Sequence, residues 1–577
     1  MFNQQSTFIN QQSLIGYIVG GGLKDNLFVR LVVPATQVQE GAFVVIETDT
    51  WLFHGLVTDM QLGATDPRFA DEQSDTRLPG ELASLLHGQT LYTNLEVLPA
   101  LMLERGPDPG RVDEYKRWLL EIDSGLRPTP RPLPIKTIPP HHAQVRLADA
   151  GDIAEIFGKA EEKANFVIGY TREQGHPVCL NLDKFVQRSS GVFGATGTGK
   201  SFLTRLVLAG LVQYNRASVL VFDMHNEYGF DDTSSDTGER VIGLKSKFAS
   251  RIRVVGLGQG ATIRGQPPDF NLEIAMHDLQ PVDIELLTHE LNLKETTSTT
   301  LEALVNDFGH HEWFSMFRTM RNGAMIEIED GKKIPAPDSV AAWANQVGTN
   351  IMAAEGLHNK LGRVFHLDYI VEKPAVDSIG EIIKALETGK HVVLSFGNHE
   401  SDLDYLLVSN LLTRRIRDAW EKRTNEFRAT GEKEPRPLVI VLEEAHKLLN
   451  REMAFQTTFN TIAREMRKYY VTLLIVDQRP SQIYDEVMSQ LGTRVSGWLG
   501  DEDDIRAVLS GLAGREALRG MLARLQPREE VLLLGWGVPM PLLVRSRRYD
   551  NKFWEELLGK KGIARVNEES ILKELGF

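Results

Sequence analysis

From Gly191 to Val212 the chain reads GVFGATGTGKSFLTRLVLAGLV, and within it Gly194, Gly199, Lys200 and Ser201 stand at the spacing of a Walker A phosphate loop, G-x-x-x-x-G-K-[ST]. That spacing answers a chemical need. Glycines let the backbone curl until its N–H groups face the β- and γ-phosphates of a nucleotide, a lysine adds a point charge, and a serine hydroxyl reaches the accompanying Mg²⁺. The residues expected against ATP are Gly194, Ala195, Thr196, Gly197, Thr198, Gly199, Lys200, Ser201 and Phe202, with Ser201 a ligand to Mg²⁺. A glycine-rich turn would satisfy the bare pattern too. The flanks favour the loop: apolar Gly191-Val192-Phe193 precedes it and an amphipathic run, Phe202 to Leu211, follows, giving the strand, loop and helix that the motif needs.

At 577 residues the chain is too long for one core, and three or four domains are expected. A net charge of −14 excludes a surface that is basic all over, so nucleic acid would have to meet a local groove or pore. Cys179 is the only cysteine, which excludes disulfide frameworks and cysteine zinc sites and fits a reducing cytoplasm. The opening MFNQQSTFINQQSLIGYIVGG has no basic stretch leading into an apolar core, and no run of 18 apolar residues occurs. Neither signal peptide nor membrane span is expected.

Residues 1–110 read as a small antiparallel β-barrel, with strands over Leu14 to Val19, Asn26 to Val33, Ala42 to Glu47, Trp51 to Met60 and Gln89 to Leu98, and an exposed loop over Pro67 to Leu78. Residues 111–144 hold GLRPTPRPLPIKTIPP, too proline-rich for helix or central strand, and read as a semi-rigid connector between barrel and motor. An α/β core follows over 145–271 and 383–548, interrupted by a helical insertion over 272–382 and closed by a helical tail over 549–577, which could pack on a neighbouring subunit. Its strand candidates are Gly191 to Phe193, Ser218 to Asp223, Arg251 to Val255, His391 to Phe396, Leu438 to Leu442, Val471 to Val476, Arg494 to Trp498 and Glu530 to Gly535. Several are unbroken Val/Ile/Leu runs, as befits a largely parallel sheet buried on both faces.

The run PLVIVLEEAHKLL sets Glu443 and Glu444 directly after an apolar strand. Nucleotide hydrolysis needs one acid for the Mg²⁺ shell and one to polarise the attacking water, at the carboxyl end of such a strand. Glu443 takes the first part and Glu444 the second; the plainer alternative is a solvated helix start, where two glutamates suit the dipole. VTLLIVDQRPSQI ends in Asp477, which would cap the turn before Pro480, and Gln478, whose amide could touch the γ-phosphate or its water. NTIAREMRKYY carries Arg464 and Arg467, either of which could meet the transition-state charge in an adjacent subunit or merely be solvated. In VLVFDMHNEYG, Asp223, His225 and Glu227 alternate, which would put all three on one side of a strand end. Glu227 is a candidate for tuning the water; a dedicated metal site there is disfavoured, since one histidine with two carboxylates is too common a set.

These stretches together resemble the HerA family of hexameric ATPases, within the HerA and FtsK group of DNA-pumping motors. The residues that carry the likeness are GATGTGKS at 194–201, Asp223 to Gly229, LEEAH at 442–446, IAREMRKY at 462–469 and DQRPSQI at 477–483, with Ala517 to Arg548 similar to the family's C-terminal sheet element. Arg188 matches a family arginine near the nucleotide. The resemblance implies a RecA-like P-loop core behind a small barrel, ATP and Mg²⁺ as cofactors, and a homohexameric ring that threads double-stranded DNA. It also implies a partner, either the NurA nuclease in DNA end processing or, in bacterial defence, a sirtuin-type NADase or nuclease effector. Two positions depart from the pattern: Asn226 and Met466 stand where glycine is usual, and the loop near Asn226 is where geometry would differ. A competing reading from another class is an ATP-gated scaffold that assembles and activates an effector enzyme.

Overall fold

The computed structural model describes residues 14–23, 25–65, 91–107, 110–233, 238–327, 332–453, 457–512 and 514–559. The loop expected over Pro67 to Leu78 and the end of the tail lie outside these residues. The chain divides into two compact units, one of Met1–Phe185, Phe193–Lys200 and Gly492–Arg547, the other of Val186–Val192, Ser201–Leu491 and Arg548–Phe577.

In the first unit, antiparallel strands close into a barrel in the order Leu27–Leu31, Leu14–Gly20, Gln144–Leu147, Phe43–Glu47, Trp51–Ala64 and Leu91–Glu104, the last pairing back onto Leu27–Leu31. Inward positions at every second residue, among them Val44 and Ile46, Leu95 and Val97, are buried and fill the core with Ile15, Val29, Phe53 and Val145. The barrel expected over 1–110 therefore draws one of its staves from beyond the proline-rich stretch. That stretch does not lead away as a spacer: after a helix over Val112–Asp123, Leu133–Pro134 pairs with Leu101 and Met102, and the chain re-enters the wall at Gln144. Prolines fit there because an edge strand tolerates a missing N–H. The same unit holds a run of antiparallel strands in the order Thr493–Ser496, Glu530–Gly535, Leu542–Ser546, Asn165–Tyr170 and Pro177–Asn181. The barrel touches these elements: Arg524 Nε donates to Glu40 Oε2 at 2.8 Å, and Gly41 lies against Leu543.

The second unit is a parallel sheet in the order Phe270–Leu272, Ile252–Leu257, His391–Ser395, Ser218–Asp223, Leu438–Glu443 and Val471–Asp477, followed by Ser190–Phe193, of which the first three residues belong here. Every residue of Ser218–Asp223, Leu438–Glu443 and Val471–Asp477 is buried, as the unbroken apolar runs require. The insertion is helical, with Thr296–Phe308, Trp313–Thr319, Val340–Val347, Ile351–Phe365 and Ser378–Glu387. Its core is aromatic: Trp313 meets Phe314 at 5.5 Å, Phe314 meets Phe365 at 5.3 Å and Phe317 meets Trp343 at 6.0 Å between ring centroids. A 29-residue helix, Asp402–Thr430, carries the insertion through a buried ion pair, Arg414 to Asp283 at 2.7 Å. The tail was expected to suit a neighbouring subunit, but its start packs on its own unit. Phe553 and Trp554 are buried, Trp554 stacks edge-on against Phe248 at 5.6 Å, and Tyr549 donates to Ile242 O at 2.8 Å.

The fold is thus α/β, a parallel sheet that carries the phosphate-loop sequence, with an N-terminal β-barrel and a helical insertion. Among the described residues no helix is long and apolar enough to cross a membrane.

Candidate nucleotide site

The strand Ser190–Phe193, buried throughout, delivers the chain to Gly194. Gly197 and Gly199 then take φ of +78° and +91°, a left-handed region in which a Cβ is costly. The turn is tight: Thr198 N–H and Oγ1 both donate to Ala195 O, at 3.2 and 2.7 Å, and a Cβ on Gly194 would stand 2.8 Å from Thr198 Oγ1. Within the first unit the loop is pinned from outside by Gly497 N to Phe193 O at 2.8 Å, Ala195 N to Trp498 O at 3.0 Å, and Arg528, whose N and Nε donate to Thr198 O and Gly197 O at 3.0 and 2.9 Å. The sequence reading missed Arg528 because it follows the loop by more than three hundred residues. The helix Lys200–Tyr214 begins on Lys200, with Ser201 and Phe202 in its first turn. A helix N-terminus preceded by a glycine-rich curl is a receptor for phosphate, and the donor set fits a nucleotide.

At the carboxyl end of Leu438–Glu443 the second unit gathers the acid pair. Glu443 is buried; its Oε1 accepts from Tyr228 Oη at 2.6 Å, and its backbone carbonyl accepts from Tyr405 Oη at 2.7 Å. Burial, with the Glu443 charge beside it, pushes the Tyr228 hydroxyl well above the usual phenol range, so it stays a donor. Glu444 leaves the strand with φ +46°, and its Oε2 accepts from Gln478 Nε2. Asp477 does cap the turn before Pro480, accepting from Arg479 N at 2.7 Å, and it also receives His446 through the backbone N–H at 2.8 Å and ring Nδ1 at 3.0 Å. That hydrogen bond raises the His446 pKa above its ordinary value.

The expected alternation of Asp223, His225 and Glu227 does not hold. The strand ends at Asp223, which is fully buried and accepts from the N–H groups of Glu227 and Tyr228 at 2.7 and 3.0 Å, while His225 is exposed and Glu227 half-buried. A buried carboxylate that folds the next turn back on itself breaks the period of two; burial pushes its pKa up. Asn226 sits in that turn at φ +57°, the region a glycine would take, and bridges to Gly397 through Nδ2 to O at 3.0 Å and from N to Oδ1 at 2.9 Å.

The structure therefore brings Glu443, Glu444 and Gln478 together, and adds Tyr228, Tyr405, Asp477 and His446 around them. Arg464 and Arg467 stand on an exposed face, Arg464 paired with Glu486 at 3.2 Å. Arg188 is half-buried ahead of the phosphate-loop strand, and Met466 is buried in the 3₁₀ turn that ends the arginine helix. Among the described residues no group of three or more His, Cys, Asp or Glu side chains is arranged to hold a metal ion. The Ser201 hydroxyl and the Glu443 carboxylate are oxygen donors of the kind Mg²⁺ takes, an ion commonly held by one or two protein groups and by substrate phosphates.

Residues 166–416 match the family model of the central domain of helicase HerA. The DNA double-strand break repair helicase HerA of Sulfurisphaera tokodaii is 24% identical over 544 residues, covering 93% of this chain and 94% of that protein. The HerA of Saccharolobus solfataricus is 23% identical over 545 residues, with 93% of each covered. Among solved structures, the bacterial conjugative coupling protein TrwB aligns over 69% of this chain and 92% of its own, with 12% identity and a TM-score of 0.41. With its central domain matched and its length aligned nearly end to end with those relatives, the chain is similar to the HerA helicases.

Proposed function

We propose that the chain is a DNA-translocating ATPase that works as a homohexameric ring on double-stranded DNA. The observation that carries this reading is Glu444, turned out of its strand at φ +46° with Gln478 on its carboxylate, beside the buried Glu443. Lys200 and the loop amides would hold the phosphates of ATP, and Ser201 and Glu443 would hold Mg²⁺. When bound, the ion neutralises charge on the phosphates as they separate. Glu444 takes the proton of the attacking water, and Gln478, bonded to Glu444, senses whether a γ-phosphate is present. Arg188 would approach the nucleotide, as its match to the family arginine suggests. Arg467 is the better candidate for the arginine offered to the neighbouring subunit, since Arg464 is engaged by Glu486. The relatives named above are double-strand break repair helicases, and a similar task in DNA end processing with a partner nuclease is the biological setting this supports; an antiphage role beside an effector enzyme is the other.

ATP turnover by the intact protein tests the reading. Lys200→Ala and Glu444→Gln should each lower kcat by about a hundredfold or more, the scale of a lost phosphate charge or general base. Equal rates in the wild type and the Glu444 variant overturn the assignment. Duplex DNA should stimulate hydrolysis and lose its effect as salt rises, because phosphates held in a pore release counterions; a rate indifferent to DNA at low and high salt overturns translocation.

One feature favours a second reading, an ATP-gated scaffold for an effector. The helix Val112–Asp123 has no buried residue, and Leu120 and Leu126 are 68% and 83% exposed. Walker-loop variants that still bind and activate a candidate effector would support the scaffold over the motor.

A further inference from the structure

Gln478 is not the sole neighbour of Glu444. Asp477 ends the strand Val471–Asp477 with no exposed surface. Its carboxylate is shared by the backbone N–H of His446, the His446 ring and the backbone N–H of Arg479. A carboxylate facing Nδ1 selects the imidazole form that carries hydrogen there. The ring is consequently held at both its backbone and its side chain, and Nδ1 lies 3.7 Å from Glu444 Oε2, the oxygen to which Gln478 donates. Glu444 holds a backbone conformation that persists only where neighbours over-determine it.

We propose that Asp477 and His446 form a positioning pair for Glu444: the buried carboxylate orients the imidazole, and the imidazole, with Gln478, fixes the Glu444 carboxylate in the orientation that meets the attacking water. The inference rests on Glu444 being the water-activating residue. His446 acts through Glu444, so it is a positioning residue. The charged groups facing the ring are Asp477, Glu444 and Lys447, and Lys447 is drawn off to Asp402 at 2.6 Å. Attraction from the ring thus falls on Asp477 first and on Glu444 second.

The test compares ATP turnover, KM for ATP and melting temperature of the full chain for the wild type, Glu444→Gln, His446→Leu, His446→Asn and His446→Gln. His446→Leu should lower kcat by about ten- to a hundredfold, the usual effect of losing an outer orienting partner, with KM unchanged. His446→Asn, whose amide N–H stands near the place of Nδ1–H, should keep most of the turnover. His446→Gln, whose amide reaches towards Nε2 instead, should not. A wild-type kcat in His446→Leu, or equal losses in the Asn and Gln variants, overturns the pair. Should the leucine variant fail to fold, the Asn and Gln variants decide alone. A wild type without turnover, or one unaffected by Glu444→Gln, overturns the ATPase reading itself, which is a different result from an active enzyme indifferent to His446.

Discussion

Asn226 shows how much a single position can settle. It takes the left-handed φ of a glycine and adds two hydrogen bonds to Gly397 that a glycine could not make. Asn226→Gly should lose about 1–2 kcal/mol for those bonds, and Asn226→Ala about 1 kcal/mol more for a Cβ held at positive φ; urea unfolding of the two variants orders them. His391 offers a second case. It is buried with neither ring nitrogen bonded among the described residues, and burial, with Arg251 and Arg436 near it, pushes its pKa down to about 3. An unfolded chain takes that proton near the ordinary value of 6.5, so the folded state is increasingly disfavoured as pH falls from there towards 3, by about 1.4 kcal/mol per pH unit. His391→Leu should flatten the fall of the urea midpoint between pH 6 and 4, measured beside the wild type. The residues legible in advance were those whose chemistry lies in local spacing, Gly194 to Ser201 above all. Tyr228 as the partner of Glu443 was not, because the two are 215 positions apart and meet only when the strand ahead of Tyr228, Ser218–Asp223, is laid beside Leu438–Glu443.

Secondary elements were readable wherever an apolar run was long and bounded. Ser218–Asp223 and Glu530–Gly535 fall where the sequence put them, since unbroken Val/Ile/Leu runs between polar breaks leave little choice of ends. Phe270–Leu272, at three residues, has no period to detect, and the helix Val112–Asp123 was hidden by the prolines that follow it. The insertion's attachment was equally invisible. It depends on Asp283, wholly buried against Arg414 of the long helix Asp402–Thr430, with Asn410 close by. Asp283→Ala leaves that guanidinium buried without its carboxylate and should cost about 3–5 kcal/mol, whereas the double variant Asp283→Leu with Arg414→Leu should recover much of it. Calorimetric melting of the three proteins measures the difference.

For the molecule as a whole, the barrel is the part whose limits differ most from expectation, because its wall includes Gln144–Leu147. A fragment ending after Asp123 lacks that stave and should give a collapsed amide spectrum by NMR, while one ending after Gly158 should give a dispersed one. Dispersed signals from the shorter fragment would show the wall to be complete without it. The strands that flank this stave, Leu14–Gly20 and Phe43–Glu47, pair with it on either side and not with each other. As the chain emerges from the ribosome, two early hairpins must therefore wait, half-built and with an open seam, until a strand made about a hundred residues later slides between them. A nascent N-terminus with such a vacancy invites a chaperone, or the wrong strand from a sister polypeptide on the same messenger.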